Sequence, residues 1–334
     1  ARPAVPLMAG CVSATDRLSR RLTPRRALLR VAAPALLAAV LPALLWAGIP
    51  ASLTGARQDA RSQPSIVSLN PCADAILAEV ADPGQILAIS HYSADPRSSS
   101  MPAAQAARYA TTRGTVEEVL TLHPDVVVDG SFIAPATAAA YGRLGLRTEM
   151  VGTVNSLDDA RAQIRQLAAI AGHAERGEAL IARIDAALVA AAPPAGAPRL
   201  RAVMWESGGM VPGDNTLIAD LMRHTGFINA SAAKGYSQAD LLPLERLLAD
   251  PPQVILTAAA GEGQGADVDR MLSHPALATL HGVHRARFEP NMLYCAGPTI
   301  IRAAQALAAV RTGTLAAARA QRPALALADQ RDRR

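Results

Sequence analysis

Two segments of the chain repeat one another: VEEVLTLHPDVVV (116–128) and LERLLADPPQVIL (244–256). Each sets a glutamate (Glu117, Glu245) one residue after an aliphatic. Each then sets a proline (Pro124, Pro252) seven residues after that glutamate, and a three-residue aliphatic run two residues after the proline. A helical stretch that turns and feeds a short, wholly apolar strand restricts the choice of fold. Such strands are apolar on both faces, the pattern of parallel sheets with helices packed above and below. The same unit twice predicts two such sheets.

The surrounding sequence fits this reading. IVSL (66–69), QILAIS (85–90) and DVVVDG (125–130) read as strands, with helices over 73–80 and 115–122. RAVMWES (201–207) and QVILTA (253–258) read as strands of a second set, with helices over 217–225, 244–248 and 298–320. Between the sets, Leu157, Ile164, Leu167, Ala171, Ile181, Ile184 and Leu188 fall at helical spacings. Asn155 or Ser156 can cap the start, and APPAGAP (192–198) stops the pattern. A continuous helix there would measure about 55 Å at 1.5 Å per residue, with Gly172 the position to bend or break it.

The expected fold is α/β: two Rossmann-like lobes with mostly parallel sheets, joined by a single long interlobe helix. The boundaries are a leader (1–61), an N-terminal lobe (62–153), the interlobe helix (154–195), a C-terminal lobe (196–322) and a tail (323–334).

The formal charge of +5 is unevenly placed. Residues 1–61 carry nine Arg against Asp16 and Asp59, a net +7, which leaves −2 for the rest. A phosphate-binding surface needs its cations on the folded body, so nucleic acid is not an expected partner. The arginines up to Arg30, the uncharged run from Val31 to Ala56 and the small residues Thr54-Gly55-Ala56 read as an export leader. PRRALLR (24–30) has a twin-arginine look, an ordinary secretory signal fits equally, and retention as an N-terminal membrane anchor is the alternative to cleavage. LMAGC (7–11) lacks the basic and apolar segment that a lipoprotein box requires.

In a parallel sheet, loops at the carboxyl ends of strands line the ligand crevice. Those loops hold Asn70, Cys72, His91, Tyr92, Phe132, Trp205, Tyr236, Tyr294 and Cys295, the candidate ligand-binding residues. Beyond the leader the chain has nine aromatics, and five fall here. Flat aromatic faces suit a large organic or chelate ligand. Trp205 leads this set.

Three readings stay open for Cys72 and Cys295: small buried hydrophobes, a disulfide that would tie the lobes together and oppose cleft motion, or soft donors facing a metal or metal complex with His91. His274, His281 and His284 share no regular element that would gather them on one face, so they read as solvated and no metal site is assigned. GEGQGA (261–266) departs from the dinucleotide spacing and reads as a loop at the cleft rim. Ser207-Gly208-Gly209 lacks the nucleophile-elbow pattern. No nucleophile and base stand at a recognised spacing, so no catalytic residue and no cofactor are assigned. The alternative is a secreted α/β enzyme, or a metal- or haem-binding protein using Cys72, His91 and Cys295.

The blocks IVSLNPCADAIL, ILAISHYSADP (86–96), GTVEEVLTLHPDVVV, GDNTLIADLMRHTGFIN (213–229) and LERLLADPPQVIL, in this order, resemble the periplasmic substrate-binding proteins of ABC importers for cobalamin, ferric siderophores and haem. The resemblance implies a bilobed periplasmic monomer whose connecting helix permits little closure. It implies a metal chelate, cobalamin-like corrinoid or ferric siderophore ahead of haem, held between the lobes. It also implies that Glu117 and Glu245, one per lobe, dock onto the transmembrane dimer of an importer permease.

Overall fold

In the computed structural model, residues 63–332 are described apart from Arg97, Phe132 and 259–273. The leader (1–61), the GEGQGA loop and Phe132 therefore lie outside the described residues.

The first lobe holds β1 (Ile66–Ser68), α1 (Pro71–Val80), β2 (Ile86–Ser90), α2 (Ala103–Ala106), β3 (Thr111–Thr112), α3 (Val116–Leu122), β4 (Val126–Gly130), α4 (Pro135–Arg143) and β5 (Thr148–Val151). Two helices follow, α5 (Leu157–Ala171) and α6 (Ala174–Ala191). The second lobe holds β6 (Leu200–Glu206), β7 (Met210–Val211), α7 (Leu217–His224), β8 (Phe227–Asn229), β9 (Asp240–Leu241), α8 (Leu244–Ala249), β10 (Val254–Ala258), α9 (Pro275–Ala278), β11 (His284–Arg287) and α10 (Thr299–Asp332).

Each lobe is built on a parallel sheet, ordered β3-β2-β1-β4-β5 in the first and β11-β10-β6-β8 in the second. The two orders match. In each, the first strand (β1, β6) has the second (β2, β8) on one side and the strand of the repeat (β4, β10) on the other, with β5 or β11 beyond it. β1 pairs with β4 in parallel through Ile66↔Val126, as β6 pairs with β10 through Ala202↔Val254. The duplicated sequence unit is thus a duplicated topology, and Glu117 and Glu245 are each the second residue of the equivalent helix.

The connector differs from the expected single helix. Gly172 takes a left-handed conformation at φ 78° and ends α5, and α6 starts two residues later. The two helices fold back as an antiparallel hairpin, with Arg161 on Asp185 and Arg165 on Glu178, each at 2.7 Å. Gly177 lets them approach closely, since an added Cβ there would lie 2.6 Å from Ala168 Cβ. The helical periodicity was right about both stretches; the left-handed glycine, favourable for a residue without Cβ, made the turn. The expected tail also differs, because the alanine-rich stretch carries helical backbone through to Asp332.

One apolar core runs through both lobes. It joins Ile66, Ile76 and Leu77 to Ile164, Leu167, Ile184 and Leu188 of the hairpin, and on to Met204, Leu221, Leu256 and Ile300. The opposite faces of the sheets have smaller cores: Val67, Val127 and Tyr141 in the first lobe, Val203, Trp205 and Ile255 in the second.

Candidate functional site

A cleft of about 400 Å³ lies where the carboxyl ends of the two sheets meet. The first lobe contributes Asn70 after β1, Ser131 after β4 and 151–155 after β5; the hairpin contributes Gln163. The second contributes Glu206 at the end of β6, the β7 segment, the start of α7, and Leu293, Tyr294 and Ala296 after β11. Much of the wall is apolar, through residues such as Val151, Val154, Met210, Leu217, Ile218 and Leu293. Such a wall with a few convergent polar groups is the composition of small-molecule sites.

Local sequence sets each polar group. Asn70 caps α1, its Oδ1 accepting from the backbone N–H groups of Cys72 and Ala73 at 2.9 and 3.1 Å, and Pro71 opens the helix. Gly130 leaves room for Asn70, because a Cβ there would lie 2.5 Å from Nδ2. Gln163 donates from Nε2 to Gly152 O at 3.0 Å while its Oε1 is buried without a partner. Glu206 is 8% exposed, and its Oε2 accepts from the Tyr294 hydroxyl. Burial pushes the Glu206 carboxyl above its ordinary value, against the lowering effect of that hydrogen bond. Burial and the neighbouring carboxylate both push the Tyr294 phenol up. The Tyr294 residue as a whole is 64% exposed, so the shift belongs to its engaged hydroxyl and not to a buried ring.

Of the residues expected from sequence, Asn70, Cys72 and Tyr294 line the cleft. Trp205 does not. It is fully buried on the far face of the second sheet, among Val203, Val211, Ala230, Leu247 and Ile255. Side chains alternate along a strand, so Trp205 and Glu206 face opposite ways, and the glutamate meets the cleft. His91 and Tyr92 stack on each other at 4.0 Å in the turn after β2 and do not line the cleft. Tyr236 also lies off the wall, donating to Leu241 O at 3.3 Å and accepting from Arg246 at 3.2 Å; its neighbours Gln238 and Ala239 line the cleft instead.

Cys72 and Cys295 form a disulfide, with Cα atoms 4.9 Å apart. That overturns the soft-donor reading with His91, since neither sulfur is free. It also overturns the objection to a tie between lobes, because the shared core already makes them one packed unit. Among the described residues no group of three His, Cys, Asp or Glu could hold a metal ion, and no helix is long and apolar enough to cross a membrane.

Glu117 and Glu245 are exposed, and neither carboxylate meets a described partner. Their setting differs from that of Glu118, whose carboxylate accepts from Thr112 Oγ1 at 2.6 Å and Arg113 N at 2.7 Å and is held below its usual range by those bonds.

Sequence reasoning passed over Glu206, Gln163 and the 151–155 loop. The alternation of β6 would have found the first. The four residues of TEMV before Gly152 are too few to mark the strand that carries the loop.

A family model described as periplasmic binding protein matches residues 66–287. A search of curated protein sequences finds no match. Among solved structures, the chain resembles the apo form of the periplasmic haem-binding protein RhuT from Roseiflexus sp. RS-1, with TM-score 0.58 and 22% identity over 75% of this chain and 98% of that one. It resembles the periplasmic haem-binding protein HutB of Vibrio cholerae at TM-score 0.61 and 17% identity, covering 74% of this chain and 98% of that one. It also resembles the periplasmic vitamin B12 binding protein BtuF of Vibrio cholerae at TM-score 0.58 and 19% identity, covering 75% and 97%.

Proposed function

We infer a capture and delivery role for this chain, which belongs to the periplasmic binding protein family: it holds a metal chelate between its lobes and hands it to an ABC importer. The observation that carries this reading is the cleft itself, formed by strand-end loops of both sheets and walled, among the described residues, by apolar side chains with a few amides and one carboxylate. Binding without chemistry is the role such a wall supports. The solved structures it resembles include binders of haem and of vitamin B12, two metal macrocycles. The chain acts as a monomer in the periplasm, exported by its arginine-rich leader through the general secretory or twin-arginine route.

Delivery uses Glu117 and Glu245. They occupy equivalent positions on the two lobes, both exposed and both without a described partner, as two-point docking onto the cationic pockets of a two-fold permease requires. The test has two parts. Calorimetric titration of the full chain with cobalamin, ferric siderophores and haem should find a chelate that binds at micromolar concentration or tighter. Uptake of that chelate into liposomes carrying the permease should fall at least tenfold with Glu117→Ala and Glu245→Ala combined, at unchanged chelate affinity. Unchanged uptake would remove the docking role.

A further inference from the structure

The described wall of the cleft is one-sided in charge. Among its described lining residues there is no Lys, Arg or His, and Glu206 is the single carboxylate. The other polar side chains are amides and hydroxyls, among them Asn70, Asn155, Gln163 and Gln238.

Two acceptors on the wall lack a full set of described partners. Gln163 is 7% exposed, with its Oε1 buried and unpartnered. Glu206, 8% exposed, has only its Oε2 engaged, by the Tyr294 hydroxyl. A polyanion brought into this site would give up its water and meet a buried carboxylate, with no described cation to offset either loss. A ligand carrying donors or positive charge would satisfy both acceptors.

We propose that the cleft selects its ligand by charge, taking a neutral or cationic metal chelate that offers hydrogen-bond donors to Glu206 and Gln163 and turning away polyanionic chelates. The proposal rests on the capture role inferred above and narrows it. Haem brings two propionates that this wall has no described cation to receive. A corrinoid edged with amides, or a ferric hydroxamate without negative charge, finds amides and carbonyl acceptors. Burial, which makes Glu206 costly to ionise, also makes the arrival of a cation or donor there more favourable.

The experiment is calorimetric titration of the full chain at neutral pH with four probes: cyanocobalamin, a cationic ferric trishydroxamate, haem and a polyanionic ferric triscatecholate. One of the first two should bind at least tenfold more tightly than either of the last two. Glu206→Gln should shrink that preference by tenfold or more. Gln238→Lys, an exposed position on the wall, should strengthen haem binding by a similar factor without disturbing the fold. An anionic chelate that binds as tightly as the best neutral or cationic one overturns the proposal alone. So does a preference that neither variant moves. Failure of all four probes to bind overturns the capture role and this proposal with it.

Discussion

Asp74 puts a carboxyl where water does not reach. It lies in the first turn of α1, fully buried, with Oδ2 accepting from Ser90 N at 2.9 Å and Ser93 Oγ at 2.6 Å and Oδ1 unpartnered. Burial outweighs those bonds and the lowering influence of the nearby Ser68 hydroxyl, and raises its pKa from 3.8 to about 7. Across that interval the folded chain keeps a proton that the unfolded chain has lost, so stability falls as pH rises from about 4 to about 7 and then levels. The span of roughly three pH units corresponds to a loss on the order of 4 kcal/mol. Asp74→Asn keeps an acceptor toward Ser90 and Ser93 and has no proton to lose. Urea unfolding between about pH 4 and pH 7 should show a falling midpoint for the native chain and a flatter one for the variant. Parallel curves would show that Asp74 does not control this dependence.

At the scale of the element, the turn of the connector hairpin is the sensitive point. Gly172→Ala places a side chain at φ 78°, where L-residues pay about 1–2 kcal/mol, and drives its Cβ into the side-chain amide of Gln63, which must move. Gly84→Ala is the control, with nothing within 4 Å of its Cβ and no left-handed backbone. Denaturant unfolding should show the first variant destabilised by at least that amount and the second close to neutral.

The elements also show why some of the molecule was legible in the sequence and some was not. Period and punctuation are local, so IVSL, the strands of the repeat, the capped entry to α1 and both halves of the connector could be read directly. The direction of a side chain at the end of a buried strand is not a compositional property. AVMWE (202–206) is apolar on both faces until its last residue, so aromatic character pointed to Trp205, while the pleat gave the cleft to Glu206. The short edge strands β5, β8 and β11 carry too few residues for periodicity to register. With β5 went the loop that supplies 151–155. Cys72 and Cys295 are 223 residues apart, and only the packing of both lobes on one core brings them together.

For the whole molecule, that disulfide and the shared core act in the same direction. Closing a loop of that length restricts the unfolded chain, with a ceiling near about 5 kcal/mol in the chain-entropy treatment. The Cys72→Ser, Cys295→Ser double variant should melt at a lower temperature than the oxidised chain, by about 2–5 kcal/mol of stability. Reduction of the native chain should reproduce the shift. A reduced chain that melts with the oxidised one would assign the cross-link no role in stability.

The bond between residues 72 and 295 also makes most of the folded body a covalent macrocycle, and nearly all the cleft wall belongs to its circumference. A chain so closed can be cut once anywhere along that circumference and remain one molecule, with the binding walls still held to each other.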